Sequence, residues 1–185
     1  TLAILPGSRM SEVSHMAALY LQAAQKLKQK LPHLQFVVPL ASSKVAEKFH
    51  TIKDEVAPEL EVTCIDGQAQ CAMIASDAVL ITSGTATLEA ALVKRPMLVA
   101  FKAGWLSAAI VRRMYKLPYF SLPNIILGEH FVTELFQEQA TVENIVPEVL
   151  KLFESKEYQA QVQKKFSTIH KALKKDANKL AADVV

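Results

Sequence analysis

The sequence predicts an α/β fold, a parallel β-sheet with helices on both faces. Three observations carry this. Short apolar runs alternate with amphipathic stretches along the chain. The runs, such as Leu2-Ala3-Ile4-Leu5 and Ala78-Val79-Leu80-Ile81, are apolar throughout, as strands buried on both faces are. Small-residue turns follow two of these runs, where a strand hands over to a helix.

The first strand, Leu2 to Leu5, ends at the turn Pro6-Gly7-Ser8-Arg9. Ser11 is placed to cap a helix whose core face is Val13, Met16, Tyr20, Ala24, Leu27 and Leu31, at spacings of three and four. Pro32 stops it, and Gln35 to Leu40 is the second strand. Ser42 or Ser43 caps a second helix with Val45, Phe49, Ile52 and Val56 inward, ended by Pro58. Leu60 to Ile65 reads as the third strand, Asp66-Gly67 as a turn, and Cys71 to Ala75 as a short helix. Ala78 to Thr82 is the fourth strand, Leu88 to Val93 its helix, and Met97 to Phe101 the fifth strand. Trp105 to Lys116 is a helix with a basic end at Arg112, Arg113 and Lys116. Leu122-Pro123-Asn124 reads as a loop, Phe131 to Gln137 as a short helix, and Val142 to Phe153 as a helix capped by Thr141. The final helix starts near Tyr158 and carries the stripe Tyr158, Val162, Phe166, Ile169, Leu173, Ala177, Leu180 and Val184. Such a stripe needs a surface: this domain, a further domain or a second subunit.

The 185 residues suit one domain with a full core, and 51% hydrophobic content excludes disorder. A formal charge of +3 is too small to argue for nucleic acid. From Lys151 onward there are eight Lys and four acids, against 13 basic and 14 acidic residues before it. The basic end is a solvated helix face or, on the sharper reading, a surface for anions. Cys64 and Cys71 have no metal-ligand spacing and read as free thiols in a reducing compartment. No apolar run reaches 18 residues and no signal peptide is visible. The chain opens at Thr1 directly on a strand, without Met, which reads as a piece of a longer protein.

Two turns can carry chemistry. Ser83-Gly84-Thr85-Ala86 lies between a strand and a helix, where backbone N–H groups face an anion. Glu89, one turn on, can reach a sugar hydroxyl or simply favour the helix N-terminus. In Pro6-Gly7-Ser8-Arg9, Gly7 permits close backbone approach and Arg9 binds phosphate oxygens and offsets a diphosphate leaving group. The bland alternative is an ordinary turn with a surface Arg. Glu12 either orients Arg9 or sits at the helix start. Asp66-Gly67, at the same sheet edge, offers backbone groups to a base or is only a turn. Asn124 offers a loop amide, and Glu134 and Gln137 lie one turn apart on a short helix that can face the same cleft. Neither the six-residue dinucleotide fingerprint nor a Walker loop occurs, which argues against NAD and ATP. The five histidines are scattered, so no metal site is expected, and with no Gly-x-Ser-x-Gly elbow nothing argues for a Ser-His-Asp hydrolase.

Leu5-Pro6-Gly7-Ser8-Arg9 with Glu12, Ser83 to Glu89, Pro96-Met97-Leu98-Val99 and Ser121-Leu122-Pro123-Asn124-Ile125 occur in an order and spacing that closely resemble lipid-A-disaccharide synthase. The resemblance implies a Rossmann-like parallel sheet flanked by helices, the C-terminal half of a GT-B-type glycosyltransferase, with a long C-terminal helix. On this view residues 1–155 form the UDP-sugar-binding domain and 156–185 the amphipathic helix. The family transfers 2,3-diacylglucosamine from UDP-2,3-diacylglucosamine to 2,3-diacylglucosamine 1-phosphate, giving UDP and the β-1,6-linked disaccharide, without metal or other cofactor. By similarity Ser8, Arg9 and the Thr85 and Ala86 amides would meet the diphosphate, and Glu89 the ribose. Asn124 and Gln137 would line the donor side, with Arg9 and Asn124 as the catalytic candidates. The base that deprotonates the acceptor would lie upstream, so this chain would bind UDP without turnover. The resemblance also implies a cytoplasmic protein peripheral to the inner membrane, with the Trp105–Lys116 segment as an interfacial patch or a plain core helix. A homodimer through the final helix is a further expectation. The rival readings are another GT-B-like UDP-sugar enzyme (the peptidoglycan N-acetylglucosaminyltransferase or a UDP-N-acetylglucosamine 2-epimerase) and a non-catalytic assembly module.

Overall fold

A computed structural model describes residues 1–102 and 119–174. Its centre is one six-stranded, all-parallel sheet in the order β3-β2-β1-β4-β5-β6. The strands are β1 (Leu2–Leu5), β2 (Phe36–Leu40), β3 (Thr63–Asp66), β4 (Ala78–Thr82), β5 (Met97–Phe101) and β6 (Thr133–Phe136). The described helices are α1 (Met10–Lys30), α2 (Ser43–Val56), α3 (Ala69–Ala75), α4 (Ala86–Leu92), α5 (Leu122–Leu127), α6 (Val142–Glu154) and α7 (Lys156–Leu173).

The uninterrupted apolar strands follow from burial on both sides. Leu2, Ile4, Leu80 and Leu98 face a core shared with α1, α2 and α6. Ala3, Leu5, Val79, Ile81, Met97 and Val99 face a second core under α4 and α7. Each fully buried Leu or Ile contributes about 1.5–3 kcal/mol, so strands such as β1 and β4 hold the two layers together. Val162, Phe166 and Ile169 of α7 are buried in the second core. Gln163 Nε2 also donates to Lys94 O at 3.3 Å. The described part of the final helix thus lies on this same unit. The end of its stripe, from Ala177 on, and the Trp105–Lys116 segment fall outside the described residues.

Ser42 and Thr141 cap α2 and α6 as expected, accepting from Val45 N at 3.4 Å and Asn144 N at 3.3 Å. Four local expectations are corrected. Ser11 is not the cap of α1: Arg9 is at the N-cap, and Glu12 accepts from its backbone N–H at 3.3 Å. The third strand starts at Thr63, because Leu60 closes a turn onto Ala57 O at 3.1 Å. Leu122-Pro123-Asn124 opens a helix instead of a loop, since Pro is tolerated in a first turn where its missing N–H is not needed. Phe131 to Gln137 is not a helix. Thr133–Phe136 extends the sheet beside β5, with Glu134 opposite Val99, and a 3-10 turn follows over Gln137–Gln139. Phe131, Val132, Leu135 and Phe136 have helical spacing, but pairing with the open edge of β5 outweighs it.

Candidate functional site

The two turns singled out in the sequence meet because β1 and β4 are neighbours. Leu5 lies opposite Ile81, so the turns after them leave the carboxyl edge of the sheet side by side. From this pair the order runs to β2 and β3 one way and to β5 and β6 the other. Such a reversal point leaves a crevice at the strand ends, the usual ligand position of open α/β sheets. A cleft of about 500 Å³ opens there. One wall is Gly7, Ser8, Arg9 and Glu12; the facing wall is Ser83, Gly84, Thr85 and Ala86. Gly67, Gln68 and Ala69, which follow β3, close the end beyond β2.

Each wall is held by local bonds. Gly7 has φ +123°, a conformation that suits glycine, and a Cβ there would lie 2.4 Å from Glu12 Cβ. Glu12 Oε2 accepts from Ser8 N at 3.0 Å and Arg9 N at 3.3 Å, and Oε1 pairs with Arg9 Nη1 at 2.9 Å. The Arg9 side chain is 79% exposed and that of Glu12 only 17%. On the other wall Thr87 Oγ1 donates to Gly84 O at 2.7 Å and tightens the turn into α4. The first N–H groups of a helix have no intrahelical acceptor, so Thr85 and Ala86 present donors where α4 meets the cleft. Tyr20, fully buried on α1, ties that helix to β4 and β5. Its hydroxyl donates to Ala100 O at 3.2 Å and accepts from Thr82 Oγ1 at 3.3 Å. Burial pushes its phenol well above the ordinary tyrosine value.

Among the described residues, no group of three or more His, Cys, Asp or Glu could hold a metal ion. Paired anion-facing turns at a reversal point suit a phosphate-bearing ligand. A sequence profile for the family described as lipid-A-disaccharide synthetase matches residues 1–185. The chain belongs to the lipid-A-disaccharide synthetase family.

Curated relatives agree. The lipid-A-disaccharide synthase of Pasteurella multocida (strain Pm70) is 47% identical over 188 residues, covering 99% of this chain and 48% of that protein. That of Yersinia pseudotuberculosis is 43% identical over 184 residues, covering 100% and 47%. The chain spans about half the length of the curated relatives it matches. Solved structures establish the Rossmann-like, GT-B-type fold at low identity. UDP-GlcNAc 2-epimerase from Neisseria meningitidis bound to UDP-GlcNAc aligns with a TM-score of 0.57 at 16% identity, over 94% of this chain and 44% of that one. E. coli ADP-heptose lps heptosyltransferase II gives 0.54 at 15%, over 82% and 45%.

The candidate site residues of the sequence divide into two groups. Gly7, Ser8, Arg9, Gly67, Ser83, Gly84, Thr85 and Ala86 line the cleft together. Asp66, Glu89, Asn124 and Gln137 are not among its lining residues. Asp66 and Glu89 are exposed on β3 and α4. Gln137 follows β6 at φ 50°, on the same sheet edge but toward its far end. Asn124 departs most from the reading of it as a cleft amide. It is fully buried. Its Nδ2 donates to Val132 O at 2.9 Å and Glu134 Oε1 at 2.8 Å. Its Oδ1 accepts from Phe131 N at 3.0 Å and Val132 N at 2.8 Å. Glu134, read as facing the cleft, is the buried partner, and also accepts from Phe120 N at 2.9 Å and Ser121 N at 2.8 Å. Gln68 was not foreseen: it lines the cleft in the left-handed region at φ 52°. No glycine marked that position, so only the preceding Asp66-Gly67 turn hinted at it.

Proposed function

We propose that this chain is the donor-binding half of a glycosyltransferase of lipid A assembly. The supporting observation is the cleft between the Gly7–Arg9 and Ser83–Ala86 turns, in a chain that matches the lipid-A-disaccharide synthetase family along its whole length. In this reading the cleft holds the UDP part of UDP-2,3-diacylglucosamine. The sugar passes to 2,3-diacylglucosamine 1-phosphate, leaving UDP. The Thr85 and Ala86 amides and the Arg9 guanidinium stabilise charge growing on the departing diphosphate, which is the electrostatic task of such a transfer. The backbone of Gly67 borders the base, Glu89 takes a ribose hydroxyl, and Gln137 borders the donor sugar. Asn124 serves by holding α5 against β6.

The base for the acceptor hydroxyl belongs, in this proposal, to the half of the relatives that this chain does not match. The chain alone therefore binds UDP and forms no disaccharide. The acyl chains of both substrates imply work at a membrane surface, and we assign the protein to the cytoplasmic face of the inner membrane. Among the described residues no helix is long and apolar enough to cross a membrane. A homodimer is part of this reading, and its contacts do not use Val162, Phe166 and Ile169, since these are buried on this unit.

Calorimetric titration with UDP tests the binding role. No heat at millimolar UDP would refute it, and disaccharide formation by the isolated chain would refute the division of labour.

A further inference from the structure

We infer that Glu12 is a built-in competitor for the ligand's diphosphate, which weakens the hold of the β1 turn on anions; this rests on the proposal that the cleft takes a nucleoside diphosphate. The carboxylate already uses the donors an incoming phosphate would seek. It accepts from the Ser8 and Arg9 amides at 3.0 and 3.3 Å, and it pairs with Arg9 Nη1 at 2.9 Å. Consecutive backbone N–H groups beside a guanidinium make an anion nest, and here the anion is supplied by the chain itself. The seat is built for it: a Cβ on Gly7 would lie 2.6 Å from Glu12 Oε2.

The facing wall differs. Ser83 to Ala86 line the cleft, and the nearest acid along the chain, Glu89, is not among the lining residues. One wall therefore offers backbone donors with no carboxylate of the described residues seated on them. The other offers a guanidinium whose charge is balanced by its neighbour. A phosphate that approaches Arg9 must displace the carboxylate or sit beside a like charge, and both weaken binding. The penalty rises with charge on the phosphate. A terminal phosphate, with its second pKa near ~6, carries up to about one more negative charge at neutral pH than one esterified to a sugar. Glu12 thus disfavours a cleaved nucleoside diphosphate more than an intact sugar donor, which speeds its release.

The test is calorimetric titration of the chain and its Glu12→Gln variant with UDP, UDP-N-acetylglucosamine and inorganic pyrophosphate. Removing one unit charge near an exposed phosphate should tighten UDP and pyrophosphate binding by roughly three- to ten-fold, and UDP-N-acetylglucosamine binding by less. Unchanged or weaker binding of UDP and pyrophosphate by a variant that melts like the parent overturns the inference, because a purely capping Glu12 would lose affinity with the turn. Equal tightening for UDP and UDP-N-acetylglucosamine overturns the product discrimination. If the parent binds pyrophosphate but not UDP, the nucleotide reading fails and the pyrophosphate arm alone decides here. If it binds neither, both fall. Should Glu12→Gln not fold, the amide resonances of Ser8 and Arg9 in the parent decide. A shift on adding pyrophosphate supports displacement of the carboxylate, and static resonances at saturation overturn it.

Discussion

Asn124 donates to the Glu134 carboxylate at 2.8 Å inside the protein, joining α5 to the edge strand β6. Both amide atoms of Asn124 are engaged, and the carboxylate also collects the Phe120 and Ser121 amides. Asn124→Ala strips the buried Val132 N–H and C=O of their Asn124 partners, while Phe131 N keeps Glu129 O at 3.1 Å. The expected cost is about 2–4 kcal/mol, or roughly 5–15 °C in melting temperature. UDP affinity of the folded variant should stay within about two-fold of the parent. A large affinity loss at unchanged melting temperature would instead mean that the amide meets the ligand.

Gly7→Ala should be costly for two reasons: the left-handed φ of +123° and the 2.4 Å approach to Glu12 Cβ. A cost of about 1–3 kcal/mol is expected from the strain alone. Combining it with Glu12→Ala should not restore stability, because the offending Cβ remains. Thermal melts of the two variants check this, and full recovery in the double variant would contradict it.

Arg9→Met tests the charge on the same wall. The side chain is 79% exposed, so stability should change little. Loss of a charge-assisted contact to phosphate should weaken UDP binding by about 1.5–3 kcal/mol, roughly ten- to 150-fold. Calorimetry reads this directly, and an unchanged affinity would remove Arg9 from the site.

Alkaline pH should destabilise the fold. Burial pushes the Tyr158 phenol up from 10.0 to about 12, with nearby Glu148 adding to the shift, and burial raises Tyr20 further. The folded protein therefore holds these protons more tightly than the unfolded chain. This stabilisation is complete below about pH 10 and is lost as pH rises through 12. Urea melts between pH 9 and 12 should show the decline. The Tyr158 hydroxyl is buried with no hydrogen-bond partner among the described residues. Tyr158→Phe should accordingly be neutral or slightly stabilising at pH 7 and should flatten the alkaline slope.

Phe166→Ala tests the docking of α7. The ring is fully buried and meets Phe131 edge-on at 5.8 Å between centroids. Loss of about 3–5 kcal/mol is expected in urea unfolding. A cost under about 1 kcal/mol would mean that α7 is loosely held.

The central strands and both turns were legible in the sequence because long apolar runs and Gly-containing turns are local signals. β1, β4 and β5 fall on their expected residues. What failed depended on partners distant in the chain. Phe131 to Phe136 carry helical spacing, and only the free edge of β5 makes a strand there. Asn124 looked like a loop donor because Pro123 precedes it; its burial follows from Glu134, which arrives with β6. The walls of the cleft could be read as two separate turns. That Glu12 already occupies one of them depends on a side-chain rotamer, which residue spacing does not specify.

The pairing of Leu5 with Ile81 joins positions 76 residues apart. Closing that span costs chain entropy before any contact rewards it, so the central pairing belongs to the slow, non-local part of folding. The two walls face each other only once it exists. Ligand affinity is then a late arrival on the folding path, absent from partly folded forms. A ligand that needs both walls holds the two halves of the sheet together, so saturating UDP should raise the whole unfolding transition instead of merely quieting a loop.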